Sequence, residues 1–288
     1  MRERGFNLIV YAVVTVFTLA CLLPFWLVLI DSLATESSFV KNGYQLWPSE
    51  FSLEAYRFLL QGDQIANSYM VTVAVTGLGT LIAVLITASF AYVLANRKVK
   101  YRNIIAFFTY FTMIFGSGLV GFYILIVNWL DLKDSLWALI LPYVLNPFYA
   151  FIFVSFFRQL PFELNESATI DGAREFRIFW TIILPISTPV MATISLFYAL
   201  HYWNDWWLSL LFIDDHRLHP LQIMIRQLIS NINVSSYVAG ASGSYNVSVP
   251  ANVVQLATVC LTIGPIVLVY PFVQRYFVQG LTIGAVKG

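Results

Sequence analysis

The residues best suited to chemistry in this 288-residue chain form a charged segment, Glu166–Pro185, which lies between two long apolar runs. Its sequence is ESATIDGAREFRIFWTIILP, and Glu163 adds a further acid just before it. Acids near the start of a helix are stabilised by the helix dipole, and exposed carboxylates pair with arginine side chains of a partner protein. Because Gly172 can break the helix, the pattern favours a bent surface element that docks a partner.

Other residue types that carry chemistry do not form a recognisable site. His201 falls in an apolar run whereas His216 and His219 follow it in a polar stretch, so they are not expected to bind one metal. Cys21 and Cys260 both lie in apolar runs, which favours small buried residues over a disulfide. No phosphate-binding GxxxxGK[ST] motif occurs, so we expect any ATP to be hydrolysed by another chain. We expect no enzymatic activity and no cofactor or metal bound by this chain.

The composition indicates the kind of structure in which the charged segment is placed. The chain is 59% hydrophobic and 11% charged, with a mean hydropathy of +0.76, whereas soluble domains have about 25% charged residues. A bilayer core of about 30 Å needs about 20 apolar residues in a helix, and runs of that length recur. We therefore expect one all-α integral membrane domain over residues 1–288, multi-pass in the cell membrane. The net charge of +1 gives no sign of a nucleic-acid partner.

Hydropathy predicts six transmembrane helices with both termini in the cytoplasm. The basic residues Arg2 and Arg4 and the stretch Arg97–Arg102 belong on the cytoplasmic side by the positive-inside rule. The predicted spans are Leu8–Ile30, Tyr69–Ala95, Ile104–Asn128, Leu136–Phe157, Ile186–Phe212 and Val253–Tyr270.

Three connecting segments are long enough to have a function. Residues 31–68 and 213–252 are expected outside the cytoplasm as loops, and residues 158–185, which contain the charged segment, are expected inside it. The charged segment predicts two short helices that meet at Gly172. Such an elbow either docks a protein partner or is an amphipathic helix lying in the membrane interface, and physical chemistry alone leaves both interpretations open.

The spacing in the charged segment resembles a known signature. Residues 166–168 are Glu-Ser-Ala, Gly172 follows after three residues, and Ile182, Leu184 and Pro185 follow after nine more. This resembles the EAA motif of permease subunits of ATP-binding cassette (ABC) importers, with serine in place of the second small residue. The resemblance implies a type I ABC importer fold and a coupling helix seated in an ATPase subunit. The residues that it assigns to ATPase coupling are Glu163, Glu166, Ser167, Ala168, Asp171, Gly172 and Arg174.

Further stretches are similar to the maltose-permease type of carbohydrate importers. These include the run Trp203–Trp207 and the ending Phe277–Gly288, and the stretch Trp137–Pro142 is most similar to permeases for alginate, aldouronate and other oligosaccharides. Gly116–Ile124 departs from that branch, where a proline-bearing stretch is expected. The resemblance implies a second homologous permease, two ATPase subunits that use ATP and Mg, and an extracytoplasmic solute-binding protein as partners.

Residues that could contact a sugar or the binding protein are less specific. The late outer loop of the family enters the binding protein, which assigns Ser242, Gly243, Ser244, Tyr245 and Asn246 to that contact. The candidates for a translocation path are Trp203, Asn204, Asp205, Asn252 and Gln255. The position of the tryptophans near the outer end of the fifth span favours an aromatic belt at the membrane interface over contact with a sugar.

The leading hypothesis is a permease subunit of an ATP-driven oligosaccharide importer, with acidic sugars such as alginate or aldouronate among the candidate substrates. The alternative is a secondary transporter driven by an ion gradient. That class usually shows internal repeats or acids within its spans, and the sequence shows no convincing repeat.

Overall fold

The computed structural model describes residues 2–61, 63–116, 118–242, 252–264 and 267, with side chains described from residue 6 to 231 within those ranges, for 252–264 and for 267. The described part of the chain is helical, and its only β contact is an isolated bridge between Ala34 and Phe51. Helices α1 to α15 are Arg2–Asp31, Glu36–Asn42, Glu54–Leu60, Asp63–Ala95, Arg102–Ile114, Gly118–Ile124, Leu136–Ile140, Pro147–Phe157, Glu163–Ile170, Glu175–Ile178, Leu184–Ile186, Thr188–Asn204, Trp207–Phe212, Leu221–Ser242 and Asn252–Gly264.

Two helices are long and apolar enough to cross a membrane unbroken. They are Phe6–Asp31, with a mean hydropathy of 2.6, and Asp63–Ala95, with a mean hydropathy of 2.2. Three further candidates are pairs of helices separated by a bend, which raises the number of candidate spans in the described residues to at most five. The expected sixth span, Val253–Tyr270, is described mainly by α15, which has 13 residues and is too short to cross alone.

The predicted spans four and five each contain a bend that the hydropathy pattern did not indicate. The fourth consists of Leu136–Tyr143 and Pro147–Phe157, which meet at 47°. The fifth begins earlier than predicted, at Glu175, and bends by 83° between Ile186 and Thr188. Proline cannot donate the backbone hydrogen bond of a continuing helix, and prolines lie at both bends.

The chain divides into two compact units, which we describe separately. The first unit consists of residues 1–66 and 224–266. Within it, both carboxylate oxygens of Glu36 cap the start of α15: Oε1 accepts from the backbone and side-chain nitrogens of Asn252, at 3.1 and 2.8 Å, and Oε2 accepts from the amide of Val253 at 2.9 Å. The Glu36 carboxylate therefore accepts hydrogen bonds from the first backbone amides of α15, which lack acceptors within the helix.

Tyr56 forms a second contact between separate segments of the first unit. Its hydroxyl lies 2.8 Å from the hydroxyl of Ser32, and the Cys260 thiol lies 3.6 Å from the same serine. Burial raises the pKa of Tyr56 to about 12, so its hydroxyl stays protonated in the physiological range. The segment 31–68, expected as a loop with a short amphipathic helix after Ser52, thus contains two short helices, α2 and α3, that hydrogen bonds hold to neighbouring elements of this unit.

The second unit consists of residues 67–223 and 267–288, and its described residues contain the hydrophobic core. Phe153, Ile194, Tyr198 and Phe212 are almost completely buried there. The Tyr198 hydroxyl lies 2.6 Å from that of Thr87 and accepts from the amide of Asn146 at 2.9 Å. Gly79 allows close approach, because a Cβ at this position would lie 2.8 Å from a ring carbon of Tyr202.

The segment 213–252, expected as a flexible loop, contains the long helix α14, Leu221–Ser242. Its first turn is anchored, since Leu221 and Ile223 are buried and the amide of Leu221 donates to the hydroxyl of Thr72 at 2.8 Å. The loop interpretation rested on the small residues of the stretch Ala239–Pro250, and α14 extends into its first four residues.

Candidate functional site

The charged segment folds as the predicted elbow. Helix α9 ends in a Schellman motif: the amide of Gly172 donates to the carbonyl of Thr169 at 3.0 Å, and the amide of Ala173 donates to the carbonyl of Ala168 at 2.9 Å. Gly172 has a φ of 80°, which an L residue adopts only at a cost. The chain therefore leaves α9 in a defined direction and enters α10 three residues later.

Of the seven residues predicted for this site, six are exposed on the surface and one, Ala168, is buried. The exposed residues are Glu163, Glu166, Ser167, Asp171, Gly172 and Arg174. Ala168 instead is 7% exposed and packs in the hydrophobic core, which explains why a small residue occupies this position. Glu163 and Glu166 lie in the first turn of α9, where the helix dipole favours negative charge.

Two large apolar side chains of the elbow also face solvent, and sequence reasoning did not single them out as surface residues. Ile170 is 85% exposed and Phe176 is 76% exposed. Exposed apolar groups beside charged groups are typical of surfaces that bind another protein. The elbow therefore presents acids and apolar side chains together, which is the composition of a docking surface.

Glu175 anchors the second arm of the elbow, a role that sequence reasoning missed. Its Oε2 accepts a hydrogen bond from the Tyr92 hydroxyl at 2.8 Å and a longer one from the Asn96 side-chain amide at 3.4 Å. Lys98 Nζ lies 3.7 Å from its other oxygen. These partners stand 77 to 83 positions away in sequence, so no local pattern around Glu175 could indicate them.

The second arm continues directly into the core. Ile178, Phe179 and Ile183 are buried, and the last two belong to a π-helical turn, Phe179–Ile183, that carries the chain toward the 83° bend. At the bend the buried Ser187 hydroxyl donates to the carbonyl of Ile183 at 2.6 Å. Close-packed side chains therefore connect the elbow to α12.

A cavity of about 390 Å³ lies at the other end of α12 and contains two of the predicted path residues. Asn204, Asp205 and Trp206 line it together with His201 and Tyr149. Asp205 accepts from the Tyr143 hydroxyl at 3.0 Å and from the amide of Leu208 at 3.2 Å. Its carboxylate thus supports the start of α13 as well as bordering the cavity.

The other predicted path residues lie elsewhere. Trp203 is 9% exposed and packs edge-on against Tyr69 with ring centroids 6.4 Å apart, so it belongs to the core rather than to an exposed aromatic belt. Trp207, in contrast, is 41% exposed. Asn252 and Gln255 belong to the other unit, where Asn252 is bound by Glu36.

A polar contact joins two turns of the second unit outside the expected spans. Asp134 Oδ1 accepts from the amides of Asp214 and Asp215 at 2.6 and 3.0 Å, and these hydrogen bonds lower the pKa of Asp134. Lys133 lies 2.7 Å from the Asp214 carboxylate, which raises the lysine pKa. The ionised form of Asp134 therefore stabilises this corner.

Comparison with known proteins identifies the kind of molecule that carries this elbow. Residues 79–283 match the sequence model of the family described as binding-protein-dependent transport system inner membrane component, which is well over half of the chain. The chain belongs to this family. As a member it is a non-catalytic permease subunit of an ABC transport system.

Individual relatives match this permease over most or all of its length. It is 39% identical to the polygalacturonan/rhamnogalacturonan transport system permease protein YtcP of Bacillus subtilis over 100% of both chains. It is 40% identical to the protein LplC of Bacillus subtilis, over 93% of this chain and 90% of the relative. The crystal structure of a bacterial ABC transporter that imports the acidic polysaccharide alginate contains a similar chain, with a TM-score of 0.83, 26% identity and coverage of 96% and 98% of the two chains.

Part of the predicted binding-protein contact lies outside the described residues of the permease. Gly243, Ser244, Tyr245 and Asn246 are not described, and Ser242 is the last residue of α14. The C-terminal stretch Phe277–Gly288 is likewise outside the described part of the chain.

Proposed function

We propose that this permease is one of two homologous membrane subunits of an ATP-driven importer for oligosaccharides, and that acidic oligosaccharides are among its substrates. In this proposal it has six spans with both termini in the cytoplasm. Two ATPase subunits bind and hydrolyse ATP with Mg, and an extracytoplasmic solute-binding protein delivers the sugar. This chain performs no chemistry itself.

The elbow is the observation that carries the proposal. Helix α9 is exposed and has acids at its start. The Schellman motif fixes its end and the Glu175 contacts fix the arm that follows, so the elbow presents an exposed surface in a defined position. Its acids and the apolar side chains of Ile170 and Phe176 supply complementary contacts for an arginine-bearing cleft. The spacing of the EAA-like motif supports an ATPase subunit as the protein that provides this cleft.

The coupling mechanism follows from how the elbow is connected. When ATP draws the ATPase subunits together, the elbow moves with the cleft that holds it. The buried side chains of Ile178, Phe179 and Ile183 pass that movement to the bend at Ser187 and on to α12. The cavity beside Asn204 and Asp205 lies at the far end of the same helix, so α12 links the ATPase contact to the proposed sugar path.

The substrate class rests on two lines of support. One relative is named for polygalacturonan/rhamnogalacturonan transport, and a similar solved chain belongs to an alginate importer. The cavity near Asp205 offers an amide, an imidazole and aromatic rings, which are groups that bind sugar hydroxyls and pack on sugar faces. We propose that the cavity lines the sugar path, and that residues 242–246 contact the binding protein.

The test is gentle detergent purification of the tagged chain from its native host, followed by identification of the co-purifying proteins and an ATPase assay. We expect a second permease and an ATPase, with activity stimulated by the sugar-loaded binding protein. Glu166→Lys should insert normally and lose uptake, whereas Arg57→Glu, in the segment 31–68, reverses a charge away from the elbow and should retain it. A stable homo-oligomer without an ATPase would contradict the proposal and favour an ion-driven transporter.

A further inference from the structure

A cavity of about 360 Å³ lies beside the elbow and differs from the sugar cavity in its charge. It is bounded by the end of α4, the start of α5, the end of α8 and the first residues of the elbow. Its walls include three arginines, Arg97, Arg102 and Arg158, together with the amide side chains of Asn96 and Asn165. Neither the coupling mechanism nor the sugar path uses these side chains.

The positive charge of this cavity is not neutralised within the described part of the chain. The ion pairs there are Lys98 with Glu175 and Lys133 with Asp214, and neither includes one of the three arginines. Glu175, the acid bound to the wall residues Tyr92 and Asn96, is thus already paired with a lysine. Three arginines that line one concave space favour an anion there, and guanidinium binds phosphate oxygens in a bidentate manner.

The N-terminal end of α5 adds to the positive electrostatic potential of the cavity. This helix of 13 residues begins at Arg102, has no acid in its first turn and receives no side-chain cap from Tyr101. Its first residues, Arg102 and Asn103, both line the cavity. The helix dipole at this end of α5 therefore favours an anion beside the arginines that line the cavity.

Asn165 provides a polar group that a ligand could recruit. Its Oδ1 is buried and has no hydrogen-bond partner. Because no bond holds the amide in place, its NH2 group can turn toward a bound phosphate without breaking one. Asn165 belongs to α9, so a ligand bound here would connect the elbow to the ends of α4, α5 and α8.

The surface that continues from the cavity is apolar. Ile104, Phe107 and Phe108, which follow the cavity residues on α5, are 54%, 61% and 61% exposed. A phosphate group that carries hydrocarbon chains fits a charged cavity beside an apolar surface. Its negative charge would contact the arginines, and its chains would lie along α5. Basic pockets at the cytoplasmic ends of membrane helices bind anionic lipid head groups.

We propose that this cavity binds the phosphate of an anionic phospholipid, and that the bound lipid links the elbow to the membrane-spanning helices. The site selects for net negative charge and a phosphodiester. A zwitterionic phospholipid, in which an ammonium group accompanies the phosphate, meets the same three arginines less favourably.

The proposal is tested on the purified complex by measuring binding of phosphatidylglycerol and phosphatidylcholine, with retained lipid counted by native mass spectrometry. Arg102→Gln combined with Arg158→Gln removes two charges from the cavity. Lys100→Gln combined with Arg177→Gln removes two exposed charges of the same region that do not line it. We expect the cavity pair to weaken phosphatidylglycerol binding by about tenfold or more and the control pair to leave it near wild type.

Soluble glycerol phosphate distinguishes a lipid from a free anion. If it displaces phosphatidylglycerol and binds equally well alone, the site takes a soluble phosphate and the lipid proposal is overturned. Equal retention of phosphatidylglycerol by all variants would also overturn it. Loss of the ATPase from the cavity variant, with lipid binding unchanged, would show that an acidic group of the ATPase occupies the cavity.

Thermal unfolding of each variant controls for misfolding, and neither arginine of the cavity pair has an ion-pair partner in the described residues to lose. Lipid retention is measured without uptake, so it can be scored even if no sugar is transported. Failure of this proposal and failure of the importer proposal are therefore distinguishable.

Discussion

Replacing Gly172 by alanine tests whether the elbow acts through its fixed geometry. The residue has a φ of 80°, and a Cβ built on it meets no atom within 4 Å. The substitution therefore causes no steric clash, and its cost is that of placing an L residue in the left-handed region, about 1–2 kcal/mol. That cost falls on the turn closed by the amides of Gly172 and Ala173.

A cost of this size reduces the population of the closed turn, relative to open forms, by about 5 to 30-fold. If coupling needs the closed turn, uptake should fall, by at most this factor, while the amount of protein in the membrane stays the same. Gly172→Asn should restore most of the uptake, because asparagine tolerates this conformation better than alanine. The assays are oligosaccharide uptake in vesicles and amide hydrogen exchange over residues 163–178.

Gly43→Ala is the matched control. Gly43 has a φ of 68° and also has nothing within 4 Å of a built Cβ, but it lies outside the elbow. It should lower stability without lowering uptake per molecule. Full uptake in Gly172→Ala, or an equal loss in Gly43→Ala, would refute a specific role for the elbow geometry.

Three further predictions concern other contacts of the permease. Tyr92→Phe removes the hydrogen bond to Glu175 and should destabilise the purified protein by about 1 kcal/mol. In a Glu175→Ala background, which leaves no side-chain acceptor, it should cost much less, and additive melting temperatures would contradict the contact. Gly79→Ala brings a methyl group within 2.8 Å of the Tyr202 ring and should cost about 1–3 kcal/mol in thermal unfolding, so an unchanged melting temperature would refute this packing. Because the pKa of Asp134 is lowered by folding, its stabilisation is present above the ordinary value of 3.8 and is lost as pH falls through the folded pKa. Asp134→Asn should therefore flatten the acid side of a melting-temperature profile, and an unchanged slope would contradict the assignment.

The elbow could be predicted from sequence because its causes are local. A helical pattern, a glycine at its end and apolar residues after it determine where α9 stops and the second arm starts. The burial of Ala168 and the exposure of Glu166 follow from the same helical spacing. The exposed position of Ile170 could not be foreseen, because hydropathy alone places an isoleucine inside.

The contacts between distant segments could not be predicted. The partner of Glu175 at Tyr92 is 83 residues away, and its choice depends on how α4 and α10 pack. The edge-on contact of Trp203 with Tyr69 likewise joins distant segments, and the run of tryptophans gives no sign of it. The broken spans were missed because a hydropathy window averages over a proline bend.

The most direct test of the central claim is cross-linking from the elbow to the ATPase. Ser167 is exposed on α9, so Ser167→Cys, with Cys21 and Cys260 replaced by serine, places a single reactive thiol on the proposed docking face. Ser49→Cys, exposed in the segment 31–68, is the control. With a short thiol-to-amine cross-linker in native membranes, we expect an adduct between Ser167→Cys and the ATPase subunit and none from Ser49→Cys. Reaction of the Ser167→Cys thiol with small reagents but no adduct to an ATPase would contradict the docking role of the elbow.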